Sequence, residues 1–206
     1  MTRRQPTIRT TALRQTIAQE AARIMAEEGV RDFGLAKRKA ATRLGASPGG
    51  QSMPTNREID DALEAHQRLF GGDEHERGLR RLREAAVEAM TLFAEFDPRL
   101  VGPVLRGTAS PDSPVTLHLF SDAPERVVVF LVGTGIPYDE SNHRVKHGDG
   151  RAADYPALRF VAGSVRVEAT IFPTIELRQA PTSPVDGRPM PRANLNEVKN
   201  LVAGAD

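Results

Sequence analysis

The chain has 206 residues, enough for one sizeable core or two small ones, and its 39% apolar and 27% charged content is that of a folding chain, not a disordered one. Lys and Arg (28) nearly balance Asp and Glu (27), so the net charge of +1 leaves any attraction to nucleic acid or membrane to a local patch. The absence of cysteine excludes a disulfide framework, a thiol nucleophile and cysteine-based zinc or iron–sulfur sites. The opening MTRRQPTIRTTALRQ is basic without an apolar core, and no stretch has the apolar length of a membrane span, so a cytoplasmic location without membrane partners is expected.

Residues 1–10, with Arg3, Arg4 and Pro6, lack apolar periodicity and read as a mobile arm. From Thr11 to Glu28, Leu13, Ile17, Ala21, Ile24 and Met25 recur at helical spacing before Gly29. A second helix is expected over Phe33–Leu44, with Leu35, Ala36, Ala40 and Leu44 inward and Lys37, Arg38, Lys39 and Arg43 outward. After the turn-rich SPGGQSMP, Thr55 and Glu58 have capping-box spacing for a third helix with Ile59, Leu63, His66 and Phe70 buried. A fourth runs past Gly71 and Gly72 through Leu79, Leu82, Ala86, Met90 and Phe93 to Asp97-Pro98.

Beyond Pro98, short apolar runs alternate with Gly, Pro, Ser and Asp, which is strand and turn chemistry. Strands are expected at 101–106, 115–120, Ile136–Asp139, Ala157–Ala162 and Val165–Phe172, the last two joined by a Gly163-Ser164 hairpin turn. Pro124 in a first turn favours a helix over 123–133. The stretch 139–150 gathers Asp139, Glu140, His143, His147 and Asp149 in what reads as a solvated hairpin tip. The proline-rich 180–192 should cross the surface before a short helix near Asn194.

None of the common phosphate-loop, dinucleotide, serine-hydrolase or zinc-protease motifs occurs. The string VLRGTASPDSPVTLHLF at 104–120 nevertheless reads as strand, small-residue turn and strand, and resembles the opening of the nucleotidyltransferase superfamily fold. In that family a Gly-Ser turn approaches phosphate and two alternate strand carboxylates hold divalent metal. Here Gly107-Thr108 occupies the turn, Thr116 and His118 stand where the carboxylates would be, and Glu168 in VRVEATIF matches a third acid.

Together, the helical periodicity of the first half and the resemblance of the second lead to an expected α+β fold, with the helical half packed beside a small mixed sheet of nucleotidyltransferase-like type. The residue patterns divide the chain into an arm (1–10), a helical region (11–97), a nucleotidyltransferase-like region (98–178), to which the resemblance is confined, and a proline-rich segment with a terminal helix (179–206). The resemblance implies phosphate contacts from Gly107, Thr108 and Ser110, counter-charge from Arg106, and magnesium or manganese held by His118, Asp122 and Glu168. With neutral Thr116 and His118 in the acid positions, a nucleotide-binding domain without catalysis is the favoured form, a rebuilt site the other.

A second resemblance lies in AQEAARIMAEEGV and LAKRKAATRLGAS, which are similar to the start of a TetR-type helix-turn-helix repressor. It implies nucleic-acid contact through Lys37, Arg38, Lys39 and Arg43, with the Arg3 and Arg4 arm in a minor groove. The remaining alternative is a non-catalytic interaction protein presenting the helical half and the 180–192 segment.

Overall fold

The computed structural model describes residues 8–204 and is α+β, with seven α-helices and a five-stranded mixed sheet among those residues. Two compact units divide the chain, Met1–Glu74 and His75–Asp206. The expected helical region 11–97 is therefore split, most of its fourth helix joining the sheet's unit. The arm carrying Arg3 and Arg4 lies outside the described residues.

In the first unit, α1 (Ile8–Glu28) packs against α2 (Phe33–Arg43) and α3 (Asn56–Phe70). Its core is built from Ile17, Ala21 and Ile24 of α1, Phe33, Ala36 and Ala40 of α2, and Ile59 and Leu63 of α3. The Thr55–Glu58 capping box forms as its spacing predicts: Glu58 N–H donates to Thr55 Oγ1 at 3.1 Å, and Thr55 N–H to Glu58 Oε2 at 2.6 Å. Several expected core residues are instead exposed. Leu13, Leu35 and Leu44 lie near the surface, and Phe70 is 76% exposed with half-buried His66 against its ring. Small alanines fill the close contact of α1 with α2, which leaves the neighbouring leucines outside it.

The second unit takes α4 (Gly72–Leu92) from His75 onward, and its Leu82, Ala86 and Met90 join one face of the sheet. β1 (Arg99–Val101), β2 (Val115–Phe120), β3 (Tyr138–Lys146), β4 (Ala152–Ala162) and β5 (Val165–Phe172) lie in the order β1-β2-β5-β4-β3. Only the β2–β5 pair is parallel. α6 (Pro124–Thr134) buries Val127 and Leu131 in the same core and supplies the crossover that parallel pairing requires. α7 (Leu195–Ala203) starts at Asn194, whose side chain caps it.

Two expected elements differ. The strand over 101–106 is β1 followed by α5 (Gly102–Arg106): Gly102 takes φ +76° and Pro103, lacking an N–H, begins the helix at no hydrogen-bonding loss. The expected loop 139–150 is mostly strand, because β4 supplies every residue from Tyr138 to Lys146 with a partner. β3 is an edge strand, and its Asp139, Glu140, Arg144 and Lys146 suit an edge that must not recruit further strands. Pro156 is accommodated where β4 has β3 on one side only.

Candidate functional site

The site follows from the period of β2. Val115, Leu117 and Leu119 enter the core, so Thr116, His118 and Phe120 occupy the opposite face. Parallel register sets Thr116 opposite Glu168, His118 opposite Thr170 and Phe120 opposite Phe172. Across the sheet, one row reads Val101, Thr116, Glu168, Arg159, Asp139, and the next reads Arg99, His118, Thr170, Ala157, Ser141. Glu168, Arg159 and Asp139 also line an open groove with Tyr138, Val161 and Arg166.

His118 is 3% exposed, and its Nδ1 accepts a hydrogen bond from Arg192 Nε at 3.1 Å. Its ring rests 4.6 Å from that of Phe172. Burial, then the charge of Arg192, then His143 push the imidazole down to about 3, so it is neutral at physiological pH. Arg192 is held on several sides. Its Nη1 donates to the Glu176 carbonyl at 2.7 Å, and its Cζ lies 5.1 Å from the Phe120 ring centroid and 5.5 Å from that of Phe172. Its Nη2 is buried without a hydrogen-bond partner.

Farther along this face the Tyr155 hydroxyl donates to Glu176 Oε1 at 2.6 Å and accepts from His147 Nε2 at 2.9 Å. Burial and then Glu176 push the phenol up to about 12. His143 Nδ1 stands 3.2 Å from Thr170 Oγ1. Thus His143 and His147 have separate hydrogen-bond partners on this face.

The predicted site residues are partly brought together. Thr116, His118 and Glu168 share a face, and the position of a Cβ on Gly102, at the start of α5, is 3.8 Å from Thr116 Oγ1. Asp122 serves another purpose: its carboxylate accepts from Thr174 N–H at 2.9 Å and from Thr174 Oγ1 at 2.7–2.8 Å, which lowers its pKa and ties the 3-10 turn Thr174–Arg178 to the end of β2.

The Gly107 turn, at φ +85°, directs its amides inward. Gly107 N–H and Thr108 N–H donate to the Pro103 carbonyl, and Ser110 N–H donates to Ser113 Oγ at 2.9 Å. Thr108 is buried, Ser110 and Arg106 are half-buried, and the Gly107 carbonyl accepts from His75 Nε2 at 3.0 Å.

The divalent ion implied by the resemblance does not fit this donor set. Magnesium and manganese prefer several oxygen ligands. The Nδ1 lone pair of His118 faces a guanidinium, Asp122 is engaged by Thr174, and no group of three or more His, Asp or Glu suited to a metal occurs among the described residues. The expected His118–Asp122–Glu168 cluster is thus not assembled.

The basic face of α2 is also less free than its sequence suggests. Lys39 pairs with Glu28 at 2.8 Å, and Arg43 with Glu28 at 2.7 Å and Glu20 at 3.2 Å. Lys37 is partly buried, and that desolvation lowers its pKa. The Leu44–Thr55 connection is longer than the roughly four-residue turn of a compact helix-turn-helix.

Sequence reasoning missed Arg192, Arg99, Tyr155 and Glu176. Nothing local marks them, since each acquires its role from a residue distant in the chain. No protein-family model and no curated protein matches this chain. No helix among the described residues is long and apolar enough to cross a membrane.

Proposed function

We propose that this is a diverged nucleotidyltransferase-like protein that binds a nucleotide and has lost metal-dependent transfer. The observation that carries this reading is the placement of Thr116, His118 and Glu168 on one sheet face, with Thr116 and Glu168 directly opposed. These are the positions at which the resemblance expects metal-binding acids, and two of the three are neutral. Without paired carboxylates, the site lacks the charge that holds metal–triphosphate complexes for phosphoryl-type chemistry. The groove beside Glu168 offers exposed Val161 as an apolar surface, with the Arg159 and Arg166 cations beside the Asp139 and Glu168 carboxylates, a mixed lining suited to the polar edge and flat face of a base.

The test is thermal stability with each nucleoside triphosphate. Selective binding to the native state raises the midpoint, and ligand at one hundred times its dissociation constant contributes ~2.7 kcal/mol. A rise with one or more nucleotides that is lost in Arg159→Ala supports the reading. No shift with any nucleotide refutes it.

A further inference from the structure

We propose that Arg192 is a tethered cation standing in for a divalent ion, and that it binds the phosphoryl oxygens of the ligand directly. This rests on the nucleotide-binding reading and specifies how that ligand's anionic end is held.

The first argument is position. The guanidinium donates to Nδ1 of His118, the residue occupying one of the two positions where the resemblance places a metal-binding acid. A positive charge therefore stands beside that position without any metal. The second is preorganisation: the His118 and Glu176 hydrogen bonds fix the planar group, and Phe120 and Phe172 flank it. A guanidinium so fixed loses little freedom on gaining an oxyanion, and its fork geometry matches phosphate.

The third argument is an unmet requirement. Nη2 has no hydrogen-bond partner although it is buried, and a charged donor left in that state is costly. No carboxylate forms an ion pair with Arg192 among the described residues; Glu176 gives it a backbone carbonyl and directs Oε1 to Tyr155. Arg99, opposite His118 on β1, adds a second positive charge whose field opposes that of Arg192. The Glu176 carboxylate offsets part of this charge through its field, and an incoming oxyanion relieves the repulsion that remains between the two guanidiniums. Because Nη2 is shielded, the ligand must displace part of its cover. Arg192 closes the proline-rich 180–192 segment, whose Thr182 hydrogen-bonds the Lys146 carbonyl, so binding at Nη2 requires that segment to shift.

Calorimetric titration of the full chain with ATP and with inorganic tripolyphosphate, each in EDTA and in magnesium, tests the proposal. The expected result is binding of both in EDTA, weakened roughly 10- to 100-fold in Arg192→Gln. Circular dichroism confirms that the variant is folded; if it is not, Arg99→Gln on the edge strand must weaken both ligands in the same direction.

ATP binding only with magnesium, or equally in wild type and Arg192→Gln, overturns the role of Arg192 and leaves the nucleotide reading standing. Tripolyphosphate binding that depends on Arg192, with no ATP binding in any condition, upholds the anion site and removes the nucleotide. Binding of neither ligand removes both.

Discussion

Replacing His118 with Asn probes the outer face most directly, because Asn keeps an oxygen near the Nδ1 position to accept from Arg192 and removes the titrating ring. In the folded chain the imidazole stays neutral down to about 3, whereas an unfolded histidine takes up a proton near 6.5. Between those values the unfolded state binds the extra proton, so the stability associated with His118 is present above pH 6.5 and is lost as pH falls toward 3. The linkage relation gives a loss of ~2 kcal/mol at pH 5 and ~3 kcal/mol at pH 4.5, relative to pH 7.

The charged and titratable groups that act on the ring are Arg192 and His143, and Arg99 is its cross-strand partner on β1. Arg192 and His143 act against a charged His118, the former at hydrogen-bond distance. Urea denaturation of wild type and His118→Asn at pH 7, 5 and 4.5 measures the effect. The variant is less stable at pH 7, having lost ring packing on Phe172, and its stability falls less steeply with acid by those amounts. Parallel pH profiles for the two proteins would show that His118 titrates freely in the fold, and the account of a sealed neutral imidazole would fail.

Two further outcomes test the separate units. Thr55→Ala removes the oxygen that accepts from Glu58 N–H and destabilises α3 by ~1 kcal/mol, seen as a lower urea midpoint, while Thr55→Ser retains most of the cap. Phe93→Ala removes a fully buried ring that lies 5.5 Å from Phe160 and 5.6 Å from Phe130. It costs ~3–5 kcal/mol, measured by chemical denaturation of the full chain through the signal of the sheet-containing unit.

Local chemistry made much of the fold legible. The 3.6-residue spacing of Ile17, Ala21 and Ile24 marks α1, Thr55 and Glu58 mark the start of α3, and Asn194 marks the start of α7. Strands β2 and β5 have the bounds their apolar runs predict, and Gly163 supplies the positive φ of the hairpin between β4 and β5. In each case the signal and its cause lie within one or two turns of chain, so reading the sequence is enough.

What only the tertiary structure decided is register and partnership. β3 is rich in charged and polar residues and becomes a strand because β4 lies beside it. The candidate site was half legible: alternation along β2 puts Thr116 and His118 on one face, but only parallel pairing with β5 sets Glu168 opposite Thr116. Asp122 reads as a ligand until Thr174, far along the chain, claims its carboxylate. Arg192 reads as one residue of a proline-rich stretch until folding sets it against His118. A sequence carries the periodicity of its own elements, whereas hydrogen-bond partners and buried charge depend on which distant segments meet in space.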